Sequence, residues 1–246
     1  MNDRQMDGLR VAITGGTSGL GLALVRELCA RGARVAFVAR TRASVAHVAR
    51  EQPNAHGVVG DVSRKDDIYP VAIQVLGALG GLDVLVNNAS SLGPVPLVPL
   101  AETECEDLEL ALATNVLGPF RLTKAVLGAL AASAREGSHS LVVNVSSDAA
   151  VTPYPTWGAY GASKAALQHL SRIWHDELRA DGIEVAAFDP GDMDTPLHAL
   201  AVPDADRSAL RRPEQSAREL ADLIAAVRVG SGEADLGAGA RDEVRA

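Results

Sequence analysis

Residues 10–21 read Arg10-Val11-Ala12-Ile13-Thr14-Gly15-Gly16-Thr17-Ser18-Gly19-Leu20-Gly21. The first five residues, Arg10 to Thr14, are a largely apolar run that predicts a strand. Glycines then punctuate a turn, and a helical pattern begins at about Leu20 and continues to Arg31. A strand that passes through a tight turn straight into a helix opens a β-turn-α unit. Glycines in such a turn permit positive φ and let a diphosphate approach the backbone closely. Free N–H groups at the helix start add the positive end of the helix dipole. The spacing is G-x-x-x-G-x-G, not the G-x-G-x-x-G of the general dinucleotide fingerprint. Taken alone, the turn is a weak signal that a purely structural role would also explain, and its place in a β-turn-α unit near the N-terminus favours the cofactor reading.

Working outward, the same alternation continues. Further strands are expected at Arg34–Ala39, Gly57–Gly60, Leu82–Val86, Leu141–Val145 and Ile183–Phe188. Helices are expected at Ala43–Gln52, Lys65–Leu79, Glu104–Ala134 and Arg218–Arg228, with another that carries Tyr160 and runs to about Ala180. Pro119 predicts a local distortion inside the long helical stretch. Short strand runs between longer helices predict an α/β fold, a parallel sheet covered on both faces. Residues 1–229 read as one domain. Asp189 to Pro213 is too long for an ordinary connection and reads as a lid, centred on residues 190–212. Residues 230–246 are rich in Gly, Ala and charge without apolar periodicity, and a flexible tail is expected.

A chain of 246 residues suffices for one such domain. Apolar residues are 47% and aromatics only 3%, so the core is expected to be built from Ala, Val and Leu. The formal net charge of −8 argues against nucleic acid as a partner. Two isolated cysteines, Cys29 and Cys105, fit a reducing compartment. The start of the chain has no apolar signal core, and no apolar run approaches a membrane span. A cytoplasmic protein without a membrane partner is expected. Neither the histidines nor the cysteines show a ligand spacing such as H-E-x-x-H or C-x-x-C, so no metal is expected.

The chemistry centres on Tyr160-Gly161-Ala162-Ser163-Lys164. Residues four apart share a helix face, which sets Lys164 beside Tyr160. A phenol has an ordinary pKa near 10, and a neighbouring ammonium lowers it. Ser147 lies thirteen residues before Tyr160 at the end of an apolar run. Two hydroxyls, Tyr160 and Ser147, can stabilise charge that develops on a carbonyl oxygen as a hydride arrives. The plain alternatives are that Ser147 caps a strand end and Lys164 is a surface lysine. The second strand ends Val38-Ala39-Arg40-Thr41-Arg42. A carboxylate there would mark NAD by accepting from a free ribose 2′-hydroxyl. None is present, and the guanidinium of Arg40, with Thr41 beside it, suits a 2′-phosphate. NADP(H) is therefore preferred over NAD(H), the alternative being that Arg40 is merely solvated. Asp61 and Val62 follow the third strand, either at the adenine edge or in an ordinary turn.

These pieces, with Asn87-Asn88-Ala89, Asn115, Asn144-Val145-Ser146-Ser147 and Pro190-Gly191, make the chain resemble the short-chain dehydrogenase/reductase family in its compact single-domain branch. The resemblance runs from Leu9 to about Arg228. It implies a Rossmann-like, doubly wound sheet and an oxidoreductase that moves a hydride between nicotinamide and a carbonyl or secondary alcohol. It implies Tyr160 as general acid or base and Ser147 as the hydrogen-bonding partner of the substrate oxygen. It gives Lys164 to the nicotinamide ribose and Asn115 to a water that links Lys164 to solvent. Cofactor contacts implied are Gly15, Thr17, Ser18, Gly19, Leu20 and Gly21 in the turn, then Arg40, Thr41, Asp61, Val62, Asn88, Ala89 and Ser90. Tyr160, Lys164, Pro190, Gly191, Met193 and Thr195 complete the set around the nicotinamide. A homodimer or homotetramer is implied as well.

Three departures stand out. Ser90 occupies a position where glycine is usual, so a side chain enters near the nicotinamide. Val227 to Leu236 offers only a feeble seventh strand, which weakens a tetramer more than a dimer. Ser18 replaces a basic residue often seen in NADP-dependent relatives and leaves Arg40 as the main specificity argument. The pocket wall is expected to include Ser91, Leu92, Val151, Pro153, Tyr154, Trp157 and the lid from Asp192 to Pro203. The lid carboxylates read more readily as solvated or capping groups than as substrate ligands. His169 and His175 are expected to face solvent or a partner. Two alternatives stay open. An epimerase or dehydratase on the same scaffold is disfavoured by the short length and the glycine spacing. A non-catalytic dinucleotide sensor has no need of Tyr160, Lys164, Ser147 and Asn115 together.

Overall fold

Strands and helices alternate along the chain as β1 (Arg10–Thr14), α1 (Gly19–Ala30), β2 (Arg34–Ala39), α2 (Arg42–Glu51), β3 (Ala55–Val59), α3 (Lys65–Leu79) and β4 (Val84–Asn87). The second half continues with α4 (Cys105–Leu112), α5 (Gly118–Arg135), β5 (Ser140–Val145), α6 (Gly158–Leu178), β6 (Ile183–Phe188), α7 (Pro196–Ala201) and α8 (Pro213–Arg228). This computed structural model describes residues 6–138 and 140–228. The expected seventh strand and the tail, 230–246, lie outside the described residues, apart from the helical start of that strand segment.

All six strands pair in parallel in the order β3-β2-β1-β4-β5-β6. The chain reverses direction across the sheet between β1 and β4, and ligands of such sheets bind outside the carboxyl ends of the strands at that point. The register aligns those ends, with Ile13 opposite Val86 and Asn87 opposite Asn144.

Successive side chains of each strand enter opposite core layers. Val11, Ile13, Val84, Val86, Leu141 and Val143 pack with Leu24 and Leu28 of α1 and with Leu220 and Ile224 of α8. Ala12, Leu85 and Val142 face the other way, onto Val71 and Val75 of α3 and Leu122 and Val126 of α5. The sheet is therefore doubly covered. At the amino ends of the strands, Arg10 clamps β1 to β4. Its backbone N–H and guanidinium donate to the Asp83 carboxylate at 2.7 and 2.6 Å, and Ser133 of α5 donates to the same carboxylate. That bonding holds Asp83 below the usual carboxylate range despite its burial.

The expected elements are present, with shifted ends. β3 starts earlier, at Ala55, and β4 starts later, at Val84. α8 begins at Pro213 rather than Arg218, since proline lacks only an N–H that the first turn leaves unused. The distortion expected at Pro119 is a π turn over Ala113–Leu117, after which α5 restarts with Pro119 in its first turn. The segment after β6 is more ordered than a bare loop. Thr195 caps α7 by accepting from His198 N–H at 3.2 Å, and Arg207 holds Asp194 at 2.9 Å. Among the described residues, no helix is long and apolar enough to cross a membrane.

Candidate active site

The glycine turn is tied down from two sides. Gly15 and Gly16 donate backbone N–H bonds to Val38 O at 2.8 and 3.2 Å. Asn88, just past β4, donates its amide to Thr14 O and Gly15 O at 2.9 and 3.2 Å. In return the Thr14 hydroxyl accepts from the N–H groups of Asn88 and Ala89, each at 3.0 Å. Gly15 and Gly19 have φ of 71° and 49°, where a side chain is strained. Ser18 precedes α1 without capping it by its side chain, so the first N–H groups of the helix stay available.

The neighbouring asparagine, Asn87, joins the sheet to its helices. Its amide donates to Asn144 at 2.8 Å and to Thr123 at 3.3 Å, and Asn144 donates onward to Ser171 of α6 at 2.8 Å. The π turn carries Asn115, fully buried. Its amide donates to Ser91 O at 2.7 Å and to Ser163 at 2.8 Å, while its oxygen accepts from Ser91 N–H at 2.8 Å and Ser90 at 3.2 Å. Both amide protons and both acceptor positions are used. The side chain pins the Ser90–Ser91 segment to α6.

Tyr160 and Lys164 lie one turn apart on α6, both buried. Ser147 and Ser90 lie beside the Tyr160 hydroxyl and act to lower its pKa. Burial dominates that phenol and pushes it up to about 12, opposed by the two serine hydroxyls and helped by the charges of Asp189 and Asp148. This corrects the expectation of a phenol lowered by its lysine. Lys164 Nζ instead donates to Val145 O at 2.7 Å and stands 5.5 Å from the centroid of the Tyr160 ring. Burial pushes Lys164 down to about 8, partly offset by Asp189. The ammonium lies over the face of the ring.

A cavity of about 380 Å³ runs along the carboxyl ends of the strands. Gly15, Ser18, Gly19 and Leu20 line one end, with Asn88 and Ala89 below. Ser147 and Tyr160 line it with Leu92, Tyr154 and Trp157, and Pro190, Gly191, Met193 and Thr195 close it from the lid. Trp157 meets the Tyr160 ring edge-on at 5.7 Å and Tyr154 at 6.4 Å, so both aromatics shape the wall. Three carboxylates, Asp148, Asp189 and Asp192, share that wall.

Several expected residues stand apart from this cavity. Arg40 and Thr41 are exposed at the end of β2, and Arg40 has no hydrogen-bond or ion-pair partner among the described residues. Thr17, Gly21, Asp61, Val62, Ser90, Asn115 and Lys164 are outside its lining, although Ser90 and Lys164 contact Tyr160. The Asp61 carboxylate accepts from Ser63 at 2.7 Å, an ordinary turn. Ser91, Val151 and Pro153 also stand outside the lining, contrary to expectation. Among the lid carboxylates, Asp194 and Asp206 are bonded within the lid and Asp192 faces the cavity. His175 is half-buried and accepts from Val185 N–H at 3.4 Å. Sequence reasoning gave no separate role to Thr14, Ser163, Asp148 or Asp189. Short hydroxyl and carboxylate side chains give no periodic signal, and only their neighbours in space reveal their bonds.

The model of the short chain dehydrogenase family matches residues 10–206. The chain belongs to that family. A glucose 1-dehydrogenase of Gluconobacter oxydans is 31% identical over 229 residues, 88% of this chain and 84% of that protein. A 3-ketoacyl-(acyl-carrier-protein) reductase of Brucella melitensis, solved with NADH, superposes with a TM-score of 0.82 at 27% identity, covering 88% of this chain and 91% of the other. A short chain dehydrogenase of Burkholderia cenocepacia, solved with NADP, gives 0.77 at 26% identity, with 89% and 91% covered. As a short-chain dehydrogenase, the chain is an NAD(P)-dependent oxidoreductase. Its residues fit such a cofactor. The groove has uncapped helix N–H groups at one end, and a Cβ at Gly19 would come within 3.1 Å of Thr195 across it.

Proposed function

We propose that this chain is an NADPH-dependent ketone reductase that also runs as an alcohol dehydrogenase in reverse. The observation that supports it is one cavity with the glycine turn at one end and the hydroxyl pair Ser147 and Tyr160 on its wall. Bound reduced nicotinamide supplies the hydride. Tyr160 gives its proton to the substrate oxygen, and Ser147 donates a hydrogen bond to that oxygen. In the reverse direction Tyr160 takes the proton. A phenol at about 12 keeps its proton through neutral pH, which supports reduction. Lys164 binds the nicotinamide ribose, and Asn115 fixes the loop beside it.

Gly15 and Thr17 to Gly21 cradle the diphosphate. Arg40, exposed at the end of β2 and without a partner among the described residues, pairs with the 2′-phosphate, with Thr41 beside it. Asp61 and Val62 border the adenine. Asn88, Ala89, Ser90, Pro190, Gly191, Met193 and Thr195 surround the nicotinamide, under a lid of residues 190–212. The carboxylates of Asp148, Asp189 and Asp192 favour a neutral or cationic carbonyl compound over one that bears a carboxylate. Unpaired Cys29 and Cys105 support the cytoplasm. Exposed Leu110, Leu117 and Ile173 on and between α4 and α6 support a homodimer or homotetramer.

The test is a panel of neutral, cationic and carboxylate-bearing ketones, with secondary alcohols, offered with NADPH and with NADH. Reduced nicotinamide is followed by absorbance. Turnover of neutral ketones with NADPH is expected. Cofactor binding without turnover anywhere in the panel would overturn the reading.

A further inference from the structure

Tyr154 and Trp157 are three residues apart, and both line the cavity beside Tyr160. A tight turn joins them. Trp157 N–H donates to Tyr154 O at 3.2 Å across Pro155 and Thr156. Thr156 has a φ of 72°, and among the described residues it alone, glycines apart, takes a positive value. The proline ring holds φ negative at the second position, so a left-handed third position makes this a type II turn. Glycine or asparagine is usual there. A β-branched threonine is strained, and such strain gathers at ligand clamps. The turn sets both rings on the cavity wall. The Tyr154 hydroxyl is tied back, donating to Asp148 Oδ2 at 2.7 Å. The Tyr154 and Trp157 rings lie 6.4 Å apart and are tilted by 59°, and Trp157 stands 5.7 Å from the Tyr160 ring. Trp157 is half-buried and Tyr154 is exposed, so both keep apolar surface uncovered. Leu92, with Leu197 and Ala201 one turn apart on α7, joins Trp157 and Tyr160 in one apolar cluster.

We propose that Trp157 and Tyr154 seat a flat apolar substituent, so that the substrate is a ketone carrying an aryl ring within three bonds of its carbonyl carbon. The carbonyl half of this proposal rests on the reductase proposed above, and the ring half rests on the wall alone. The ring of Trp157 is next to the ring whose hydroxyl meets the carbonyl oxygen, so a short spacer bridges the two. Any apolar group gains by covering these side chains. An aryl ring gains more, because it stacks or meets them edge to face. A saturated ring of the same size gains from burial only. The strained turn holds the two wall rings in place before anything binds, which lowers the cost of ordering them.

The test compares 4-phenyl-2-butanone with 4-cyclohexyl-2-butanone, ketones of equal carbon number with the same spacer. With NADPH and the whole chain, kcat/KM is expected to be about 3- to 10-fold higher for the phenyl compound, chiefly through a lower KM. Trp157→Leu is expected to abolish that advantage, and Trp157→Phe, which restores a flat ring, to keep it. Calorimetry with 3-phenylpropanamide and 3-cyclohexylpropanamide, which accept no hydride, reads the seat without turnover. The phenyl amide is expected to bind about 3- to 10-fold tighter to the wild-type chain. Equal constants for the phenyl and cyclohexyl compounds, or an advantage that survives Trp157→Leu, would overturn the proposal. A phenyl preference among the amides with no ketone turned over would sink the reductase reading and leave the aryl seat standing. Ketone turnover with no phenyl preference would do the reverse.

Discussion

Lys164 Nζ donates to the carbonyl of Val145 at 2.7 Å, across the space between α6 and the end of β5. A buried ammonium bound to one carbonyl is poorly solvated, and its pKa falls from 10.5 to about 8. Between those two values the unfolded chain holds a proton that the folded chain lacks. The Lys164 contribution to stability therefore rises as pH climbs through that window. Lys164→Met abolishes it. Unfolding by denaturant, from pH 7 to pH 10, is expected to show wild type gaining on the variant as pH increases. Parallel curves would place the ammonium in a better solvated site.

Arg40 stands exposed at the end of β2 with no partner among the described residues. Arg40→Ala is expected to weaken NADPH by about 10- to 100-fold, the range of a lost charge-assisted bond, and to leave NADH nearly unchanged. Equilibrium binding of the two cofactors to both proteins checks this. Equal losses would mean that Arg40 does not read the phosphate.

Gly21 is set against the turn it follows. A Cβ there would collide with the carbonyl oxygen of Gly15, which is backbone and cannot swing away. Gly21→Ala is expected to destabilise the chain by about 1–3 kcal/mol and to lower dinucleotide affinity as α1 shifts. Gly77, inside α3, has nothing within 4 Å of an added Cβ. Gly77→Ala is expected to stabilise by about 0.5–1 kcal/mol through helix propensity. Thermal melts of the two variants, moving in opposite directions, check the contrast.

The fold was legible because strands buried on both faces are apolar along their length and are separated by helical periodicity. The site was legible where spacing carries it. Tyr160 and Lys164 are four apart on α6, and the glycine turn is contiguous with β1. Spacing gave no access to what burial does. It set Lys164 near Tyr160 but missed the upward push on the phenol. Nor could it show that the Asn115 amide is fully bonded or that Thr14 and Asn88 lock the turn. Those facts depend on which β-strand ends lie side by side, and that is a property of the sheet order.

The most direct test is hydride transfer in wild type and Tyr160→Phe, each with NADPH bound. Removing one oxygen leaves the ring packed against Trp157 and takes away only the proton donor. Cofactor affinity is expected to stay within about twofold while the rate of ketone reduction falls by roughly 10²–10⁴. A Tyr160→Phe protein that reduces ketones at the wild-type rate would contradict proton transfer from this phenol.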